Sequence, residues 1–108
     1  MSPPKYRGSR DRNHADLVRC LEELGCTVAD MALAGVEGFP DVVIGLCGET
    51  HLVEFKNPAT RYGRAGLNLE QSGFARDWRG SKVWVVSSRD EVIALVTNLR
   101  RMARHTRA

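Results

Sequence analysis

The sequence predicts an α/β domain in which helices flank a mixed central β-sheet. Two apolar runs, DVVIGL and HLVEFK, surround a glycine turn within residues 41–56 and predict a β-hairpin. Helical patterns precede and follow this hairpin, and a further apolar run, KVWVVS at 82–87, lies between two of them. The chain of 108 residues suits a single domain. We therefore expect the order helix, three strands, helix, strand, helix, abbreviated αβββαβα.

The N-terminal residues, 1–12, are polar and basic, and we expect a flexible arm followed by one folded domain over residues 13–108. The first helix is predicted over residues 13–24, with Asn13 as its N-cap. Asp16 would then lie in the first turn, where a negative charge suits the helix dipole. Gly25 is expected to end the helix, and residues 26–32 are expected to form a short strand.

The hairpin is predicted to be covered on both faces. Pro40 cannot donate a hydrogen bond to a sheet ladder, so a strand can begin at this residue but can hardly contain it. Strands with apolar side chains on both faces are typical of a sheet centre with a layer on each side. Val42, Ile44, Val53 and Phe55 are expected on one face, and Val43 and Leu52 on the other.

Two helices are predicted after the hairpin. Residues 57–66 are expected to form a loop, after which Asn68 and Gln71 form a variant of the capping box, and Gly80 ends the helix. Ser88 and Glu91 have capping-box spacing at the start of the last helix. The apolar stripes expected to face the core are Leu67, Phe74, Ala75 and Trp78 in the first of these helices, and Val92, Leu95, Val96 and Leu99 in the second.

Charge and composition restrict the function classes. The net charge is +3, and thirteen of the sixteen basic residues are arginine, the cation that grips phosphate in a bidentate fork. No apolar run is long enough to span a membrane, and we expect a cytoplasmic protein without a membrane partner. Cys20, Cys26 and Cys47 lack C-x-x-C spacing and are expected to be buried apolar residues rather than disulfide or zinc ligands.

Asp41, Glu54 and Lys56 form the set of residues most suited to chemistry. Glu54 and Lys56 are two residues apart on one strand, so their side chains share a face. A turn centred on residues 47–48 would put Asp41 opposite Glu54, and a turn centred on 48–49 would put Asp41 opposite Lys56. Either turn brings the three side chains to one face, whereas a three-residue loop would separate them.

Two facing carboxylates repel each other and are costly to bury without a positive partner. A divalent cation, Mg²⁺ or Mn²⁺, fits two carboxylates together with water and phosphate oxygens. Such an ion would lower the pKa of a water molecule and neutralise charge on a phosphate. Lys56 could orient or deprotonate the attacking water, or stabilise the charged phosphorane. Ordinary ion-paired charges at strand ends are the alternative interpretation of these residues.

The runs Gly38-Phe-Pro-Asp41 and Leu52-Val-Glu54-Phe-Lys56 resemble the signature of the PD-(D/E)XK nuclease superfamily. The likeness is greatest to the VRR-NUC group and its small phage-type relatives, although Phe55 stands where valine is usual. The resemblance implies a restriction-endonuclease-like core and divalent-metal hydrolysis of phosphodiesters. It makes Asp41, Glu54 and the carbonyl of Phe55 metal ligands, and Lys56 the catalytic lysine.

The resemblance also assigns roles to two helical positions. Gln71 corresponds to the family's helix glutamine, although capping of Asn68 explains it equally well, and both could hold. Asp16 is the first candidate for a further acidic ligand in the first helix, with Asp11 and His14 as weaker candidates. A helix N-terminal charge is an equally good explanation of Asp16.

DNA is the expected partner. Arg61, Tyr62 and Arg64 suit phosphate clamping and base stacking, and Arg10 and Arg12 add charge at the N-terminus. The predicted function is a Mg²⁺-dependent endonuclease selective for DNA structure, such as a Holliday junction, acting as a homodimer without an organic cofactor in a bacterial or phage-infected cell. The alternatives are a non-catalytic nucleic-acid-binding module, a subunit of a replication or repair complex, and a small basic protein that binds another protein.

Overall fold

A four-stranded mixed sheet is the framework of the chain. The computed structural model describes residues 4–58 and 66–107, with side chains described over 12–58 and 66–105. Neighbouring strands pair in the order β1-β2-β3-β4, antiparallel except for the parallel pair β3–β4. The predicted α/β class with a mixed sheet is thus confirmed. The described elements are α1 (Pro4–Glu23), β1 (Thr27–Asp30), β2 (Val42–Leu46), β3 (Glu49–Phe55), α2 (Leu69–Asp77), β4 (Val83–Val86) and α3 (Arg89–Arg107).

Helix α1 begins nine residues earlier than predicted. Residues 4–12, which we expected to form an arm, continue the helix, so Asn13 is not its N-cap and Asp16 is not in its first turn. Pro4 is compatible with a first helical position, and Arg and Lys are good helix formers, so a polar stretch does not end a helix. The apolar pattern identified only the part of the helix that faces the core.

The predicted end of α1 at Gly25 is confirmed. Gly25 has a φ of 99°, a left-handed conformation that glycine adopts without steric cost. The Gly25 N–H donates to the carbonyl of Glu22, and the Cys26 N–H donates to that of Leu21 at 3.0 Å. This pair of bonds is the Schellman motif, which satisfies carbonyls left free at the helix end and turns the chain toward β1.

Of the two predicted hairpin turns, the structure has the one centred on residues 47–48. Leu46 pairs with Glu49, so Cys47 and Gly48 are the central residues of a two-residue turn. Their φ values are 55° and 78°, as a type I′ turn requires at both central positions. This turn matches the natural twist of the strands and sets which residues of β2 and β3 face each other.

The core lies on one face of the sheet, beneath α1 and α3. The prediction for the hairpin's apolar residues on this face is confirmed, because Val42, Ile44, Val53 and Phe55 belong to one buried cluster. Cys20 and Cys26 join that cluster and Cys47 contacts its edge, and none of the three forms a disulfide. The predicted stripe of α3 is also confirmed. The other members of the cluster are Leu17, Leu21, Leu46, Val86, Val92, Leu95, Val96 and Leu99.

The opposite face of the sheet is only partly covered, by α2. This helix ends at Asp77, with Trp78 as its C-cap, and none of its own residues is buried. Trp78, predicted to be a core residue, is 44% exposed and stacks on Phe74. The prediction was wrong because a nine-residue helix covers little of the sheet and its apolar stripe continues past the area of contact. No described helix is both long and apolar enough to cross a membrane.

Candidate functional site

Asp41 and Glu54 meet at the open end of the hairpin. Val42 pairs with Val53, so the next position along the ladder places Asp41 opposite Glu54 on the face away from the core. Asp41 lies immediately after the buried Pro40, and its Oδ2 accepts a hydrogen bond from the Phe55 N–H at 2.8 Å. This bond fixes the Asp41 carboxylate against β3, where it can act together with Glu54.

The carbonyl of Phe55 has no ladder donor on the β2 side. Lys56 donates its N–H to Val86 of β4, so the N–H and C=O of Phe55, one residue away, point toward β2. The residue opposite Phe55 in this register is Pro40, which has no N–H. A proline at this position therefore leaves a backbone oxygen available beside Asp41, as the predicted third ligand requires.

Glu54 is a buried carboxyl group, with only 4% of the residue exposed. Burial, and next the negative charge of Asp41, raise the pKa of Glu54 to about 8, although the Lys56 ammonium acts in the opposite direction. Without a further positive charge, this site favours a protonated Glu54. A cation between Asp41 and Glu54 would reverse that preference, so the electrostatics of the pair fit a metal ion.

Lys56 is joined to Glu54 through the side chain of Gln71. The Lys56 Nζ donates to Gln71 Oε1 at 2.7 Å, and Gln71 Nε2 donates to Glu54 Oε2 at 2.6 Å. The direct distance from Lys56 Nζ to Glu54 Oε2 is 3.7 Å, and Lys56 is itself buried. One amide thus satisfies a buried cation and a buried acid together, which limits the cost of keeping both away from water.

The same amide also caps α2, so both interpretations of Gln71 hold. Asn68 Oδ1 accepts from the Gln71 N–H at 2.8 Å, and Gln71 Oε1 accepts from the Asn68 N–H at 3.1 Å. These two bonds form the predicted capping box. Because the first turn of α2 is held in this way, the position of the Gln71 side chain over β3 is tied to the start of the helix.

The connector between β1 and β2, residues 31–41, packs against α2. Gly38 has a φ of 76°, and its Cα lies so close to the backbone carbonyl of Glu70 that a β-carbon would clash with it. The rings of Phe39 and Phe74 meet edge to face, with centroids 5.2 Å apart. The connector that leads to Asp41 and the helix that carries Gln71 therefore pack directly on each other.

The structure does not bring Asp16 to this site. Asp16 is exposed, and its carboxylate lies 3.4 Å from Arg19 on the same helix. His14, one of the weaker candidates, contacts the ring of Phe55 edge to face at 5.0 Å and bonds Asp30 at 2.8 Å. His14 has helical spacing to Leu17 and Leu21, and that spacing was the available signal for its inward position.

Asp30 is exposed, and its carboxylate is hydrogen-bonded to two neighbours. Burial acts to raise the pKa of Asp30, but the hydrogen bonds from the Ala32 N–H and from His14 together lower it. Asp30 pairs with Val42 in the sheet, so it lies at the same end of the sheet as Asp41 but on the face toward the core. Any effect of Asp30 on the Asp41–Glu54 pair would pass through His14, which bonds Asp30, and through Phe55, whose ring contacts His14.

Most of the predicted DNA contacts lie outside what the structure describes. Arg61, Tyr62 and Arg64 fall within residues 59–65, outside the described residues. Arg10 is a residue of α1, but its side chain is not among those that the structure describes. Arg12 is described, as an exposed residue of α1.

Three oxygen donors therefore converge at one end of the sheet: the carboxylates of Asp41 and Glu54 and the carbonyl of Phe55. Over residues 12–58 and 66–105, no group of three or more His, Cys, Asp or Glu side chains is arranged to hold a metal ion. A site with two carboxylates and a carbonyl suits Mg²⁺ better than zinc, because Mg²⁺ binds few protein ligands and retains water. Lys56 lies beside these donors and can contact a bound anion.

Searches against protein-family models, curated proteins and solved structures find no match to this chain.

Proposed function

We propose that this protein is a divalent-metal-dependent endonuclease that hydrolyses phosphodiester bonds in DNA. The observation that carries the proposal is the joining of Glu54 and Lys56 through Gln71, with Asp41 opposite Glu54. Charges at strand ends that served only solubility would be expected at the surface, whereas Glu54 and Lys56 are both buried. Two buried and hydrogen-bonded ionisable groups beside a second carboxylate are typical of a reaction centre.

In the proposed site, Asp41, Glu54 and the carbonyl of Phe55 would hold Mg²⁺ or Mn²⁺. When bound there, the ion would supply the positive charge that acidifies a nearby water and neutralises the phosphate. Asp41 is held in place for this task by the Phe55 N–H. Glu54 would have to lose its proton to hold the ion, so metal affinity should rise with pH up to the region of the Glu54 pKa, about 8.

Lys56 supplies a second positive charge on the same face. Its ammonium group is oriented by Gln71 Oε1 and lies 3.7 Å from Glu54, so it can donate hydrogen bonds to the attacking water and to a phosphate oxygen. Gln71 is a positioning residue in this scheme, because it contacts Lys56 and Glu54 rather than the substrate. Loss of Gln71 would leave the charged groups present but less well oriented.

The substrate class rests on charge and on the family resemblance. The net charge of +3 and the excess of arginine suit a polyanion. The resemblance to PD-(D/E)XK nucleases of the VRR-NUC type supports a restriction-endonuclease-like fold, a structure-selective substrate such as a Holliday junction, and a homodimer. Selectivity for structure rather than sequence agrees with a chain that offers no separate recognition domain within its described residues.

The test is cleavage of end-labelled four-way junction, flap, nicked and linear DNA in Mg²⁺ or Mn²⁺. The wild type is compared with Asp41→Asn and Glu54→Gln, which keep side-chain size and remove one charge each. Glu37→Gln is the matched control, because it removes one exposed carboxylate from the connector outside the proposed ligand set. We expect metal-dependent cutting by the wild type and the control, and a decrease of at least roughly a hundredfold in both site variants.

Binding measured alongside distinguishes the alternatives. If Glu54→Gln still binds DNA but does not cut it, the site acts in chemistry. If the wild type binds DNA in a salt-sensitive manner but cuts no substrate with either metal, the protein is a binding module and the catalytic proposal fails. Equal cutting by wild type and both site variants would also contradict the proposal, since it would indicate a contaminating nuclease.

A further inference from the structure

The outer edge of β4 is a surface that the proposed reaction centre does not use. β4 pairs with β3 on one side, and no strand of the described chain pairs with its other side. Its four residues are VWVV, without the proline or charged residues that commonly protect a sheet edge from pairing. Val85 is 45% exposed. The edge is therefore chemically suited to pairing with another strand.

An open groove runs along this edge between β4 and α3. Trp84, Val85 and Val86 line it on the strand side, and Ala94 and Asn98 are on the helix side. Glu91 and Arg101 line it toward opposite ends of the helix, and both are exposed. The floor is thus apolar, and its two ends carry opposite charges.

The charges on α3 are self-complementary. Positions 91, 94, 98 and 101 have the spacing of a single helix stripe, and Val96 is the midpoint both of Glu91 with Arg101 and of Ala94 with Asn98. If two copies of α3 run antiparallel about Val96, each Glu91 meets the Arg101 of the other copy. The small Ala94 then faces Asn98. A two-fold axis thus produces two opposite-charge contacts and no like-charge contact along the stripe.

The same two-fold axis can also relate the β4 edges of the two copies. Val96 lies eight residues after Ser88, or about 12 Å along the helix. Measured back from Ser87, about 12 Å of strand is between three and four residues, which ends between Val83 and Trp84, about one residue before the centre of β4. Since α3 doubles back over the sheet after a short turn, the midpoints of stripe and strand lie nearly above one another.

We infer that a second copy of this chain docks on the surface formed by the β4 edge and the Glu91–Arg101 stripe of α3. The two β4 strands pair antiparallel and join two four-stranded sheets into one, while the two copies of α3 pack side by side. The axis is perpendicular to the sheet, so the Asp41–Glu54 faces of both copies point to the same side. With both Asp41–Glu54 faces on one side, a dimer could cut two strands of one substrate. This consequence rests on the proposed function, whereas the interface itself does not.

Sedimentation velocity over a dilution series tests this interface. The wild type is expected to approach twice the 12.0 kDa chain mass as its concentration rises. Arg101→Glu would oppose two like-charge pairs and raise the dimer Kd at least roughly tenfold. Arg104→Glu is the matched control: it makes the same charge reversal on an exposed residue of α3 outside the stripe, and its Kd should stay within about twofold of wild type.

A charge swap makes the test specific. Glu91→Arg alone should also weaken the dimer, but a mixture of Glu91→Arg and Arg101→Glu chains restores both opposite-charge contacts and should form a heterodimer. Circular dichroism checks the fold of each variant, because Glu91 also accepts bonds from Ser87 at the helix start. If Glu91→Arg does not fold, the comparison of Arg101→Glu with Arg104→Glu decides the matter.

Two results would overturn the interface. A wild type that remains at the mass of one chain at the highest concentration excludes the dimer. Equal Kd values for Arg101→Glu and Arg104→Glu would place any dimer contact elsewhere. Glu54→Gln is measured as well, because an inactive variant that still dimerises shows that this interface and the proposed nuclease activity succeed or fail separately.

Discussion

Gln71 joins two buried ionisable groups, Lys56 and Glu54. Its amide oxygen accepts from Lys56 and its amide nitrogen donates to Glu54, while its backbone N–H completes the cap with Asn68. A carboxylate at this position could not donate to Glu54, and an aliphatic side chain could satisfy neither charge. An amide carries an acceptor for the ammonium and a donor for the acid on separate atoms, so it can bind both groups at the same time.

Gln71→Ala should lower kcat for DNA cleavage by at least roughly tenfold while the Kd for DNA changes little, because Lys56 loses its orienting acceptor. The free energy of unfolding should fall by about 1–3 kcal/mol through loss of the cap and of the bonds to buried groups. Chemical denaturation and single-turnover cleavage provide the two measurements. Ser72→Ala, at the next position and exposed, should change neither quantity appreciably.

The raised pKa of Glu54 predicts how stability depends on pH in metal-free buffer. The unfolded carboxyl titrates near 4.5 and the folded one at about 8, so the folded state binds the proton more tightly. The resulting stabilisation is fully present below about pH 4.5 and is lost as pH rises through about 8. Denaturant unfolding of wild type and Glu54→Gln with a chelator present measures this effect.

Glu54→Gln should therefore be more stable than wild type by roughly 1–3 kcal/mol near pH 9, and the difference should shrink toward about pH 5. The neutral amide can still accept from Gln71, which is why the variant should fold. A constant difference across the pH range would mean that Glu54 titrates normally. Added Mg²⁺ should stabilise the wild type and not the variant.

At the scale of elements, the site depends on how the connector, the hairpin and α2 meet. The type I′ turn at Cys47 and Gly48 sets the pairing of β2 with β3, which places Asp41 opposite Glu54. The connector then contacts α2 through Gly38 and through the ring of Phe39. The connector, the hairpin that directly follows it and the later helix α2 thus position one pair of carboxylates and one amide.

Gly38→Ala should displace α2 and reduce cleavage at least about tenfold, because a β-carbon has no room against the Glu70 backbone. It should also destabilise the fold by roughly 1–3 kcal/mol. Gly35→Ala is the matched control: Gly35 has a similar φ of 79°, but no atom would crowd its β-carbon. The control therefore carries the cost of backbone strain alone, and its catalytic rate should stay near wild type.

At the scale of the whole molecule, the two faces of the sheet differ in how they are covered. α1 and α3 bury one face in a continuous core, whereas α2 leaves Val85 of the other face 45% exposed. The proposed reaction centre lies on this less covered face, where a duplex or junction could approach Lys56. The two core helices are tied to each other by the Arg100 guanidinium, which donates to the carbonyl of Leu24.

DNA binding should weaken steeply as salt concentration rises, because contacts with phosphate release counterions. Replacing both Arg61 and Arg64 by alanine should reduce the slope of log K against log salt by up to about 1.8, if each side chain meets one phosphate. Fluorescence anisotropy with labelled junction DNA measures this slope. Arg19→Ala with Arg104→Ala removes the same amount of charge from α1 and α3, on the face of the sheet opposite the proposed reaction centre. This control should leave the slope nearly unchanged.

Local patterns in the chain were enough to predict a large part of the architecture. The alternation of Val42, Ile44 and Val53, the stop at Gly25 and the capping box of Asn68 with Gln71 each depend on neighbouring residues, and the structure confirms them. Of the box predicted at Ser88, the bond from the Glu91 N–H to Ser88 Oγ is present, whereas the Glu91 carboxylate accepts from Ser87. The shared face of Glu54 and Lys56 follows in the same way from the pleat of a strand. These features are set by backbone geometry over a few residues.

Other features were decided by contacts between distant parts of the chain. The exposure of Trp78 depends on how much of the sheet the nine-residue helix α2 covers. The choice between two turns, which the local pattern left open, is visible only in how β2 and β3 pair. The bridge from Lys56 through Gln71 to Glu54 also depends on tertiary packing, because Gln71 lies 15 positions after Lys56 and 17 positions after Glu54.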